Sequence, residues 1–141
     1  MSKNIEELCT YRVDITYQDT DIAGVVYFAN YLNYAEKGRS KLLKGLFGKT
    51  KFSDTQNWAV RSTNISYFKP TLIDETLVVK TTIKELKKAS LVFLHTMFVG
   101  DTKVAENEIH LLCIGKDLRP TKIEEKVFNE LFSIYNSYDI N

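Results

Sequence analysis

An α+β domain, with an antiparallel sheet of about five strands wrapped around one long helix, is the fold this sequence predicts. Three observations carry it. Tyr11, Val13, Ile15 and Tyr17 alternate with Arg12, Asp14, Thr16 and Gln18, the period of two of a half-buried strand. From Asn30 to Phe47 the spacing becomes helical. Tyr31, Leu32, Tyr34, Ala35, Leu42, Leu43 and Leu46 include pairs three, four or seven apart, with Glu36, Lys37, Arg39, Lys41 and Lys44 as the polar complement. After residue 57 come four strand-like segments joined by short turns, the pattern of an antiparallel sheet. The helix has to bury its stripe, and the concave face of that sheet is the available surface.

In chain order, residues 1–10 are a lead-in with one helical turn at Ile5 to Leu8. The first strand, residues 11–17, delivers Asp19 and Asp21 to a turn that contains Gly24. Asn30 is placed to cap the long helix. Gly38 sits mid-helix, where glycine costs about 1 kcal/mol relative to alanine, and so marks close packing against another backbone. Gly45 and Gly48 mark the helix end, and residues 48–57 are polar and loop-like. Strands are expected over 58–68, 76–86, 91–99 and 104–114. Lys69-Pro70, the turn Leu72 to Glu75, Lys87-Lys88-Ala89 and the hairpin turn Gly100-Asp101-Thr102 separate them. Residues 121–138 return to helical spacing through Ile123, Val127, Phe128, Leu131, Phe132 and Tyr135.

Composition narrows the function. The length of 141 residues suits a single domain over 1–141, and 44% hydrophobic residues can build its core. A net charge of +1 gives no field that would draw nucleic acid or a membrane surface. No apolar run approaches the roughly 20 residues that span a bilayer. The two cysteines, Cys9 and Cys113, form neither a disulfide framework nor a zinc cluster. With no signal-type apolar segment at the start, a reduced, cytoplasmic setting is expected. An exposed sheet edge invites pairing, so a homodimer at least is expected, with the active site near the subunit boundary.

Chemistry concentrates between Tyr17 and Arg39. A carboxylate pair, a glycine turn and a fresh helix start follow one another there. Helix starts present unpaired N–H groups and partial positive charge, suited to an oxygen that becomes anionic in a transition state. On residue chemistry alone Asp19 and Asp21 also fit turn capping, and as metal ligands they lack a third partner. His95 and His110 read as structural histidines on strands, and Cys113 as a small buried hydrophobe.

The run Tyr17, Asp19-Thr20-Asp21, Gly24 to Tyr27, Ala29 to Leu32, Glu36 and Arg39 resembles the signature of the 4-hydroxybenzoyl-CoA thioesterase family, in its bacterial acyl-CoA thioesterase branch. The resemblance implies the hotdog fold, dimers that often pair into tetramers, and hydrolysis of a fatty or aromatic acyl-CoA without a cofactor or metal. It implies that Asp21 is the catalytic carboxylate, acting as general base on water or as nucleophile. It implies the backbone N–H of Phe28 as oxyanion donor, with Gly24 shaping the approach. Tyr17 orients Asp21, lines the pocket, or is plain strand packing. Lys87 and Lys88 with Ser90 resemble the family's basic pair for CoA, with Arg61 and Lys69 as weaker candidates. Asn64, Tyr67 and Pro70 match a second block of the family, at and just before Ile65 to Pro70, which implies that they line the cleft. Glu36 and Arg39, three apart, are expected to form an intrahelical ion pair. The chain departs from the branch at Phe28, where many members carry histidine, which removes a His–Asp mechanism but not a backbone donor. Asp14, where arginine or glutamine is usual, is a second departure. Two other readings stand beside this one: a thioesterase acting on acyl-carrier protein, whose acidic surface the lysines would meet, and a non-catalytic acyl-binding module.

Overall fold

The structure, a computed structural model, describes residues 4–49 and 51–137. A short helix, α1 (Ile5–Leu8), is capped by Asn4 and leads into strand β1 (Thr10–Asp14). A 3₁₀ turn covers Tyr17–Asp19, and the long helix α2 covers Asn30–Phe47. Four strands follow, β2 (Asn57–Tyr67), β3 (Thr76–Leu86), β4 (Ser90–Val99) and β5 (Thr102–Ile114). Helix α3 (Glu125–Ser137) ends the described chain. The helix starts at Glu125 rather than at residue 121, and its expected reach to residue 138 lies outside the described residues.

The five strands form one antiparallel sheet in the order β1-β3-β4-β5-β2. Register shifts at Val60/Ser62, Ile83/Glu85 and Met97/Phe98 break its ladders. Such bulges bend strands and increase twist, which helps the sheet wrap. The wrapped element is α2: the hotdog arrangement. Gly38 is where α2 comes closest. A Cβ there would stand 2.9 Å from Thr81 Oγ1 and 3.2 Å from Val79 Cγ1, so the contact is to β3 side chains rather than to backbone. Lys41 ties α1 to α2 by donating to the carbonyls of Glu7 and Thr10.

Two apolar clusters fill the concave side. One joins Leu42, Leu43 and Leu46 of α2 to Leu91, Phe93, Ile109 and Leu111 of the sheet and to Val127, Leu131 and Ile134 of α3. The other joins Tyr31, Tyr34 and Ala35 to Leu77, Val79, Met97, Val104 and Ala105. A buried polar row lies beside them on adjacent strands. Thr81 Oγ1 lies 3.0 Å from His95 Nδ1, His95 pairs in register with Asn107, and Asn107 Nδ2 donates to Thr63 Oγ1 at 2.8 Å.

Two further expectations are corrected. The first strand stops at Asp14 rather than Tyr17, because the carboxylate of Asp19 turns back to the Thr16 N–H and winds the chain into the 3₁₀ turn. Asn30 does not cap α2. The cap residue is Ala29, and Asn30 instead donates from Nδ2 to the Asp19 carbonyl at 2.9 Å. Among the described residues no helix is long and apolar enough to cross a membrane.

Candidate active site

Residues 15–29 form a compact loop over the start of α2. Ile15 is its buried anchor. The Asp21 N–H donates to the Val25 carbonyl at 2.8 Å and the Gly24 N–H to the Asp21 carbonyl at 3.0 Å, closing a tight turn. Gly24 takes φ +79°, a region in which a Cβ is strained, so the turn calls for glycine even though the space around it is open. The Val26 N–H reaches the Thr71 carbonyl at 2.8 Å, and Tyr31 donates its hydroxyl to Thr71 Oγ1 at 3.0 Å. These bonds seat the loop on the segment between β2 and β3.

The two carboxylates of this loop are treated differently. Asp19 Oδ1 accepts from the Tyr34 hydroxyl at 2.5 Å, and Oδ2 accepts from the Thr16 N–H at 2.9 Å and the Thr16 hydroxyl at 3.0 Å. Burial pushes the Asp19 carboxyl up, but the bonds from Tyr34 and Thr16 outweigh it and hold the group below the usual carboxylate range. The same pair, with burial first, pushes the Tyr34 phenol well up. Asp21 is exposed. Among the described residues its carboxylate accepts only from the Ala23 N–H, at Oδ1 and 2.8 Å, so lone pairs remain open to solvent.

At the helix start, the Tyr27 N–H donates to the Asp19 carbonyl at 3.0 Å, and the Tyr27 carbonyl accepts from the Asn30 N–H at 2.9 Å. The peptide between Tyr27 and Phe28 is thus fixed from one side, while its Phe28 N–H has no acceptor among the described residues. The Phe28 carbonyl accepts from the Tyr67 hydroxyl at 2.9 Å, and Tyr67 packs edge-on against Tyr31. Val26, Phe28, Tyr31, Tyr67, Phe68, Lys69 and Pro70 line a cleft of about 280 Å³ beside this peptide. The Phe28 side chain is 60% exposed.

Asp21, Gly24, Phe28 and Tyr67 therefore share one end of the molecule. Asn64 does not line this cleft as expected: three positions from Tyr67 on the same strand, it falls on the alternate face and lines a separate hollow with Glu85, Glu108 and His110. Tyr17 stands in solvent, and its hydroxyl bonds no described residue. Lys87, Lys88 and Ser90 lie elsewhere. Tyr67 pairs with Ala105, which pairs with Met97, whereas Ser90 pairs with Leu112, which pairs with Ala59. At about 3.3 Å of rise per residue, the Lys87–Ser90 turn is on the order of 20 Å along the sheet from the Asp21 end. Both lysines are exposed, and Lys87 Nζ pairs with Glu85 at 3.1 Å. The expected Glu36–Arg39 ion pair is absent among the described residues. Both line a cleft of about 690 Å³ between α2 and β2, with Lys51, Phe52 and Trp58. Cys9 and Cys113 are buried, and burial pushes their thiols up to about 12 and about 11.

Sequence reasoning missed the roles of Tyr34 and Thr16. Half of the signal was present, since Thr16 and Asp19 have the spacing of a capping box. Tyr34 looks like any aromatic on an apolar stripe.

An antiparallel sheet wrapped on a long helix, with an exposed carboxylate in the loop that leads into that helix, is the frame these residues build. The chain belongs to the thioesterase-like superfamily, whose family model matches residues 15–131. The acyl-CoA thioesterase YbgC of Helicobacter pylori (strain ATCC 700392 / 26695) is 34% identical over 133 residues, covering 86% of this chain and 98% of that protein. The acyl-CoA thioester hydrolase YbgC of Escherichia coli O157:H7 is 26% identical over 127 residues, covering 87% and 95%. Among solved structures, a probable thioesterase from Bartonella henselae matches with a TM-score of 0.70 at 28% identity, over 81% of this chain and 96% of that one. The resemblance in the Tyr17–Arg39 run and the hotdog fold are both borne out.

Proposed function

We propose that this thioester hydrolase cleaves acyl-CoA to the free acid and CoA, with Asp21 as the catalytic carboxylate and the Phe28 N–H as oxyanion donor. One observation carries the assignment: among the described residues, a single loop holds one carboxylate with free lone pairs and one helix-start N–H with its hydrogen unpaired. A binding module needs neither.

The chemistry follows. Asp21 takes a proton from water while the water oxygen attacks the thioester carbon, or the carboxylate attacks directly and water later opens the anhydride. Either way the carbonyl oxygen becomes an oxyanion, and a fixed N–H facing it is worth about 2.7–4 kcal/mol. Collapse expels the CoA thiolate, a good leaving group that a proton then neutralises. No cofactor or metal enters the reaction.

The far placement of Lys87, Lys88 and Ser90 supports a shared site. Strand β2 is an edge of the sheet with mostly exposed residues. If two copies pair their β2 edges antiparallel about a two-fold axis, the partner's Lys87–Ser90 end comes beside this subunit's Asp21 end. The CoA phosphates then meet lysines of one subunit while the thioester meets Asp21 of the other.

The test is thiol release from a panel of short, long and aromatic acyl-CoAs by the purified chain. Turnover of one class supports the reading and names the acyl group. No turnover on any of them, with turnover on acyl-carrier-protein thioesters, moves the assignment to carrier-bound substrates.

A further inference from the structure

Asp19 makes more hydrogen bonds than a loop residue needs. Its carboxylate accepts from Tyr34 at 2.5 Å and twice from Thr16, at 2.9 and 3.0 Å. Its carbonyl accepts from the Tyr27 N–H at 3.0 Å and from Asn30 Nδ2 at 2.9 Å, and its N–H donates to the Thr16 carbonyl at 3.0 Å. A capping box accounts for Thr16 alone. The remaining partners share a purpose that local turn chemistry does not explain. Tyr34 and Asn30 belong to α2, and Tyr27 N–H belongs to the residue just before Phe28.

We propose that Asp19, gripped by Tyr34, is a positioning residue that holds the Asp21 carboxylate and the Phe28 N–H in their working arrangement. The inference rests on the functional reading above. Asp21 lies two residues after Asp19 and inherits its placement through Thr20, which bridges to Val26. Phe28 lies one residue after Tyr27 and inherits its placement through the Asp19 carbonyl. One residue therefore fixes both halves of the reaction frame against the same helix. Tyr34 is buried on α2 (3% exposed), so its phenol is a fixed post rather than a mobile contact. Both oxygens of Asp19 accept bonds, which tie the carboxylate to the loop and to α2. Displacement by about 1 Å in such a frame costs on the order of 100-fold in rate, far more than the loss of one bond costs in stability.

The test uses the full chain and an acyl-CoA that the wild type turns over. Tyr34→Phe, Asp19→Asn, their double variant and Asp21→Asn are compared in kcat, KM and Tm, with rates normalised to folded protein. Tyr34→Phe keeps the ring and loses only the hydroxyl. Its kcat is expected to fall about 10-fold or more with KM within about twofold of wild type, since the group never touches substrate. The double variant is expected to be no slower than the slower single one, because both changes break the same bond. A folded Tyr34→Phe protein with wild-type kcat, or one that raises KM alone, overturns the proposal. If Asp19→Asn fails to fold, Tyr34→Phe still decides. Residual full activity in Asp21→Asn overturns the functional reading itself. An inactive Asp21→Asn beside an unimpaired Tyr34→Phe overturns only the positioning role.

Discussion

The two ends of α2 are held by different balances of forces. At its start, hydrogen bonds are added to the apolar cluster around Tyr31, Tyr34 and Ala35: Tyr31 to Thr71, Tyr34 and Asn30 to Asp19, Tyr67 to the Phe28 carbonyl. Ile22, Phe28, Phe68 and Leu72 around them remain exposed. At the other end, Leu42 and Leu46 sink into a cluster closed by Leu131 and Ile134 of α3, and few directional bonds are needed. Apolar burial is non-directional and scales with area, so it secures an element without fixing its atoms to a fraction of an ångström. Hydrogen bonds fix direction and distance. Under the proposed function the start of α2 is the reaction end, and the second kind suits it because its groups must be aimed.

Substitutions at the two ends should then separate stability from rate. The largest stability effect is expected at the far end. Leu131→Ala leaves a cavity among fully buried side chains and should cost about 2–5 kcal/mol in denaturant unfolding, with kcat per folded molecule unchanged. Gly38→Ala strikes between the ends. Overpacking against Thr81 and Val79 costs about 1–3 kcal/mol, partly offset by about 1 kcal/mol of helix propensity, so a modest drop in Tm is expected.

A pH effect belongs to the polar row. Burial first, and the Arg39 charge second, push His95 from its ordinary 6.5 down to about 3. The unfolded chain therefore binds this proton before the folded one. The stability this adds is complete above pH 6.5 and drains as pH falls towards 3. His95→Gln removes the titration, so its Tm should fall less steeply with acid than that of the wild type. An equal slope in both proteins would assign acid sensitivity elsewhere. The smallest effect is expected at the lysines. Lys87→Ala with Lys88→Ala should raise KM for acyl-CoA a few-fold at low salt, leave kcat alone, and lose its effect above about 0.5 M salt, where exposed charges are screened.

The same contrast explains what was legible in the sequence. Periodicity reports burial, so α2 was readable from Asn30 to Phe47 and β3 from Thr76 to Leu86 with the bounds found. The Tyr11 to Tyr17 alternation overran its strand because Thr16 and Asp19 form a local bond that competes with the ladder, and alternation is blind to it. Asn30 fits the cap position by residue type, yet its amide is aimed at Asp19, a choice made by loop geometry. Asp21 and Phe28 came from the family signature rather than from residue chemistry, which left Asp19 and Asp21 equivalent. Only the bonds around them tell the two apart. The separation of Lys87 from Asp21 depends on register, which a linear pattern does not carry.

The most direct test is Asp21→Asn, read for kcat/KM and Tm together. Asparagine keeps an oxygen for the Ala23 N–H and removes only the charge and basicity. Loss of about 10²–10⁴-fold in kcat/KM with an unchanged Tm is the predicted result, the usual contribution of a positioned acid–base group. Turnover at the wild-type level would contradict the assignment of the chemistry to Asp21. A rate loss matched by a fall in Tm would make Asp21 a structural residue of the loop instead.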